Sequence, residues 1–68
     1  MNARYTEPEP IFISVKEAAK MLGLHVMTVY DLCYDSEIAS AKKGKRRLVE
    51  LASVREYAAR LLDEAASA

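Results

Sequence analysis

The sequence predicts a mainly α-helical domain that carries a small β-hairpin. Two short helical patterns with apolar faces are separated by a turn that begins with a glycine. A Gly-centred run of basic residues then lies between two short segments that can pair as strands. A third helical pattern occupies the end of the chain. The order helix, turn, helix, hairpin, helix is that of a compact winged helix-turn-helix.

Length and composition limit the classes of function. The 68 residues suit one small domain, with no room for a large catalytic cleft beside its own core. Cys33 is the only cysteine and His25 the only histidine, which argues against a disulfide and a metal site. The sequence has no long apolar run and no signal-peptide start. We therefore expect a cytoplasmic protein without catalytic residues, cofactor, metal or membrane association.

The domain is predicted to span residues 11–66, after a flexible N-terminal tail of residues 1–10. The segment Glu7-Pro8-Glu9-Pro10 is typical of extended or polyproline-like chain. Ile11-Phe12-Ile13 is expected to lead the chain into the domain as a short apolar stretch.

The first helix is predicted from about Val15 to Leu22. Ser14 and Glu17 have the spacing of a capping box. Gly23 can adopt the left-handed conformation that ends a helix. The predicted apolar face consists of Val15, Ala18, Ala19 and Leu22.

The second helix is predicted from near Val26 to about Tyr34, after a turn from which Leu24 points inward. Thr28 and Asp31 are expected on the side away from the core. The residues expected to be buried are Val29, Leu32 and Cys33.

The hairpin is predicted from Ile38 to about Lys42 and from Arg46 to Val49, on either side of Lys43-Gly44. The run from Lys42 to Arg47 holds five of the ten basic residues of a chain with zero net charge. Such a tip is suited to phosphate contacts, although a solvated surface turn has a similar composition.

A last helix is predicted to open at Ser53, where Ser53-Val54-Arg55-Glu56 has the spacing of a second capping box. Its expected apolar face consists of Val54, Tyr57, Ala58, Leu61 and Ala65.

Five segments, in this order and spacing, resemble the excisionase-type, MerR-like winged-helix family. They are Ser14–Leu24, Thr28-Val29-Tyr30, Glu37-Ile38, Gly44–Val49 and Val54–Tyr57. The resemblance implies a second helix in the major groove of DNA and a wing on the adjacent minor groove or its phosphates. Phage and mobile-element members of the family are recombination directionality factors in bacterial hosts, which bend DNA and help an integrase to excise.

The resemblance, together with the basic run and the helix starts, indicates three groups of candidate DNA-contacting residues, although His25, Lys16 and Lys20 are equally explained as solvent-exposed helix residues. The candidates in the recognition helix are His25, Met27, Thr28, Tyr30 and Tyr34. The candidates in the wing are Lys42, Lys43, Gly44, Lys45, Arg46 and Arg47. Further candidates for backbone contacts are Ser14, Lys16 and Lys20. The expected partners are double-stranded DNA, neighbouring copies of the chain and an integrase.

The recognition helix departs from the family in its polar residues. Asp31 stands where a basic residue is usual, and residues 26–34 contain no Arg, Asn or Gln to make bidentate base contacts. We therefore expect weak direct base recognition, affinity dominated by the wing and specificity assisted by DNA shape. A small transcription regulator and, less favoured, a protein-interaction adaptor are the alternative functions.

Overall fold

The computed structural model describes residues 8–67, which contain three helices and one three-stranded antiparallel sheet. The elements are β1 (Phe12–Ser14), α1 (Val15–Leu22), α2 (Val26–Tyr34), β2 (Ser40–Lys43), β3 (Arg46–Glu50) and α3 (Leu51–Ser67). Three helices with a β-hairpin wing confirm the predicted fold class.

The sheet has the order β1-β3-β2, so the wing hairpin gains a third strand from the start of the domain. Ile13 lies opposite Val49, and both are buried. For residues 11–13 the sequence predicted only a short apolar stretch leading into the domain, because a three-residue strand is too short to show an alternating pattern. Pairing with β3 therefore makes residues 12–14 part of the folded unit.

The first helix and its turn have the predicted bounds and caps. The Ser14 Oγ accepts a hydrogen bond from the Glu17 N–H at 3.0 Å. Gly23 has φ 72°, and its N–H donates to the Ala19 carbonyl. A left-handed residue is accommodated there without strain because glycine has no Cβ.

The core is built mostly from small and β-branched side chains of the three helices and the sheet. Val29, Ile38 and Val49 are at most 1% exposed. Around them pack the other buried residues, namely Ile13, Val15, Ala18, Ala19, Cys33, Leu51 and Val54. Leu22, Leu24 and Leu32 are partly buried at its edge. The predicted inward faces of α1 and α2 are therefore confirmed.

The wing hairpin begins later than predicted. Ile38 is a core residue whose N–H donates to the Leu32 carbonyl at 3.3 Å, so it closes α2 rather than opening β2. Lys43 pairs with Arg46, which leaves a two-residue loop of Gly44 and Lys45. Gly44 has φ 61°, as the first position of a tight hairpin turn of the primed types requires.

The start predicted for the last helix is wrong. The helix begins at Leu51, which is buried and whose N–H donates to the Ile11 carbonyl at 2.9 Å. Ser53 therefore lies inside the first turn, and its Oγ accepts from the Ala39 N–H at 2.7 Å. A tertiary hydrogen bond replaces the predicted second capping box, because Ile11, just before β1, and Ala39, just before β2, supply the partners.

The apolar stripe predicted for the last helix is buried only at its beginning. Val54 is 2% exposed and Tyr57 is partly buried, but Leu61 is 42% exposed and Ala65 is also exposed. The sheet and the other helices extend only far enough to cover the first two turns. The remainder of α3 projects beyond the core.

Residues 8–10 are the described part of the predicted tail, and Glu9 among them is bound to α3. The Glu9 carboxylate receives two hydrogen bonds from the Arg55 guanidinium, both at 2.6 Å. These charge-assisted bonds lower the pKa of Glu9 and raise that of Arg55. Residues 1–7, the rest of that tail, lie outside the described residues, and the predicted domain boundary stays a prediction.

Candidate nucleic-acid interface

The start of α1, the start of α2 and the wing surround an open cleft of about 280 Å³. Its lining consists of Ser14, Val15, Lys16, Val26, Tyr30, Lys45, Arg46 and Arg47. Six of these eight residues belong to the predicted DNA-contacting set. The fold thus brings members of all three predicted groups to one basic depression, although Tyr30 is the only recognition-helix candidate in its lining.

Four cations of the wing are free to meet a polyanion. Lys42, Lys43, Lys45 and Arg46 are exposed, and the two glutamates that form ion pairs within residues 8–67 pair with Arg55 and Arg60 instead. The tight turn at Gly44 holds the four cations within one short hairpin. Their charges therefore concentrate positive potential at the wing instead of spreading it over the surface.

Arg47 occupies a different environment from the other wing cations. It is partly buried, and its Nη1 donates to the Ser40 Oγ at 2.9 Å. Its guanidinium lies 5.2 Å from the centre of the Tyr34 ring. Such a cation–aromatic contact is attractive. Arg47 therefore connects the wing to α2, a role that depends on strand register and could not be predicted from the basic run.

The outward face of α2 presents few polar groups. Met27 is 60% exposed and Tyr34 is 68% exposed, while Thr28 and Asp31 are also exposed. Tyr30 is partly buried against the core, with its ring 6.4 Å from that of Tyr34 and nearly parallel to it. Tyr30 is therefore largely a packing residue that supports Tyr34.

His25 is the N-cap of α2. Its Nδ1 accepts a hydrogen bond from the Met27 N–H at 3.1 Å. An accepting Nδ1 places the ring proton of neutral histidine on Nε2. His25 therefore keeps one N–H donor at the exposed start of α2, where a phosphate would also meet the positive end of the helix dipole.

The exposed side of α1 supplies the third group. Lys16 and Lys20 lie beside Ser14 in a shallow depression that also contains Glu17. The Ser14 oxygen is engaged as the acceptor of the helix cap, but its hydroxyl proton remains a possible donor. Glu17 offsets part of the positive charge, so this surface is less basic than the wing.

Another depression, of about 780 Å³, shares Arg47 with this cleft. It is bordered by the end of α2, β2 and α3. Arg60 on its wall donates to the Glu37 carbonyl at 2.8 Å and to the Glu37 carboxylate at 3.5 Å. Since Arg60 is already paired with Glu37 and Arg47 is bound to Ser40, the depression offers less free positive charge than the wing.

Metal-binding clusters and membrane-spanning helices are both absent from residues 8–67. No group of three His, Cys, Asp or Glu side chains there converges to hold a metal ion. No helix in that range is both long and apolar enough to cross a membrane.

Comparison with known proteins agrees with the fold. Residues 12–61 match the helix-turn-helix domain family. A protein of Saccharopolyspora erythraea named "Probable excisionase" is 36% identical over 61 residues, which are 90% of this chain and 62% of that protein. The chain thus spans less than two thirds of this relative. No solved structure matches significantly. Because the family match covers both helices, the sheet and most of α3, the chain belongs to the helix-turn-helix domain family.

Proposed function

We propose that the chain binds double-stranded DNA, with α2 in the major groove and the wing on the phosphates of the adjacent minor groove. The observation that carries the proposal is the basic cleft between α2 and the wing, beside four exposed wing cations. A duplex would contact the outward face of α2 and the wing tip together. The bound DNA would release counterions from the phosphates that the wing neutralises.

The wing supplies most of the affinity in this proposal. Lys42, Lys43, Lys45 and Arg46 contact phosphates, and Arg47 holds the wing against Tyr34. The distance between wing and recognition helix is then set within the protein rather than by the DNA. A fixed distance favours duplexes whose groove width matches it, which is recognition by shape.

The biological role that we propose is that of an excisionase-type directionality factor. The relative named "Probable excisionase" supports this role, as does the resemblance of five segments to that family. The protein would act without catalysis in a bacterial cytoplasm, by bending DNA near the sites of an integrase. One small domain makes few contacts, so neighbouring copies would have to bind side by side to reach useful affinity.

Gel retardation with duplex fragments that carry a bound site at different positions tests DNA binding and bending. We expect a ladder of complexes as protein is added, and a mobility that depends on the position of the site within the fragment. With the integrase, the protein should stimulate excision and inhibit integration. Failure to retard any duplex at moderate salt would refute DNA binding.

Straight DNA with a single complex on a palindrome, and no effect on recombination, would instead favour a small transcription regulator. The contribution of the wing is tested by Lys45→Ala with Arg46→Ala, which removes two exposed wing charges and leaves the core intact. The double variant should lose the ladder at protein concentrations where the wild type shows it.

A further inference from the structure

We propose that Asp31 selects a cytosine in the major groove by accepting a hydrogen bond from its exocyclic amino group. The proposal rests on the DNA-binding function above and specifies which base α2 would recognise. Asp31 is exposed on the outward face of α2. It follows Met27 by one turn and precedes Tyr34 by three residues, so the three side chains lie on the same side of the helix.

Local stability does not account for a carboxylate at this position. Asp31 lies in the last turn of α2, where the negative end of the helix dipole disfavours an anion. That turn contains no basic residue. The ion pairs within residues 8–67 are Glu9–Arg55 and Glu37–Arg60, and the Asp31 side chain takes part in neither.

Binding in the major groove would change the surroundings of this carboxylate. In the free protein it is hydrated, whereas in the groove it would lose water and lie between two rows of phosphates. An unpaired charge placed in this way is costly, so a productive site has to provide a hydrogen-bond donor. The pairing of the carboxylate with a donor therefore decides which sequences bind.

The major-groove edges of the bases offer few donors. Cytosine presents its N4 amino group, and guanine and thymine present acceptors that would repel a carboxylate. Adenine presents the N6 amino group next to the N7 acceptor, so a carboxylate is a poorer match for adenine than for cytosine. Asp31 is accordingly matched to one base of the four.

The neighbouring side chains do not provide a competing base preference of similar strength. Thr28 offers one hydroxyl and one methyl group, and Met27 offers an apolar tip. Residues 26–34 contain no Arg, Asn or Gln for bidentate contacts. The contribution of Asp31 should therefore dominate the base preference of α2.

Selection of bound sequences from a randomised duplex library, followed by affinity measurements on single-base variants, tests the proposal. The wild type should prefer cytosine at one position by about tenfold or more. Asp31→Ala should reduce that preference to less than about twofold while binding other duplexes more tightly, since repulsion from phosphates is removed. Asp31→Asn should move the preference to adenine, whose N6 and N7 match an amide.

The matched control is Asp35→Ala, which removes the same charge from the exposed C-cap of α2. It should raise affinity for all sequences equally. Asp31→Ala should melt at the same or a higher temperature than the wild type, because the removed charge opposes the helix dipole. A base profile that is unchanged in Asp31→Ala, with a uniform gain in affinity, would overturn the proposal. A wild type that binds no duplex would instead overturn the DNA-binding function itself.

Discussion

Replacement of Lys45 and Arg46 by alanine should halve the salt dependence of DNA binding. The structure leaves four wing cations exposed and places Arg47 against Ser40 and Tyr34. Each phosphate contact contributes a slope of about −0.9 to a plot of log K against log salt concentration. Four contacts predict a slope of about −3.6, and the double variant should show about −1.8.

These slopes correspond to large differences in affinity. Between 50 and 200 mM salt, the wild type should lose about 150-fold in affinity and the double variant about 12-fold. Titration of a fluorescent duplex, followed by anisotropy at five or six salt concentrations, measures both slopes. The melting temperatures should agree, because the Lys45 and Arg46 side chains are exposed and make no hydrogen bond or ion pair among the contacts of residues 8–67.

A matched control removes two positive charges from α3 through Arg55→Ala and Arg60→Ala. These arginines pair with Glu9 and Glu37 and do not line the basic cleft. The control should retain the wild-type slope, since a charge more than a Debye length of about 8–10 Å from the DNA is largely screened. Equal slopes for the wild type and the wing variant would refute phosphate binding by the wing.

Three predictions concern stability. Ser53→Ala should cost about 1–3 kcal/mol, because it leaves the N–H that bonds to Ser53 without a partner, whereas Ser67→Ala at the exposed end of α3 should change little. Chemical denaturation of both variants measures the difference, and equal stability of the two would contradict the hydrogen bond between Ser53 and the Ala39 N–H. Ile38→Val should reduce the free energy of unfolding by about 0.5–1.5 kcal/mol, because Ile38 is buried in the core. Each kcal/mol lost should lower the melting temperature by about 4–8 °C. An unchanged melting temperature would show that this side chain is not in the core. Glu9→Gln should destabilise the protein at neutral pH but not in acid. Arg55 lowers the pKa of Glu9 in the folded state, so the stabilisation from the ionised carboxylate is lost as the pH falls through that pKa. Thermal melting of both forms from pH 7 to pH 3 measures this, and a difference that persists in acid would contradict the ion pair.

Local patterns in the sequence determined α1, α2 and the turn between them. Ser14 caps the first helix, Gly23 ends it, and the apolar period of the second helix gives its buried face. Each of these signals depends on residues within one or two turns of each other. The composition of the run from Lys42 to Arg47 likewise determined the presence of a basic hairpin and its glycine turn.

Only the tertiary structure decided where α3 begins, what Arg47 contacts and that residues 12–14 form a strand. Ser53 has the spacing of a cap, but the Ile11 carbonyl and the packing of Leu51 start the helix earlier. Ser40 and Tyr34 are brought to Arg47 by strand register and by the angle between hairpin and helix. These outcomes depend on hydrogen-bond partners that are distant in the chain, and such partners become neighbours only when the sheet closes on the helices.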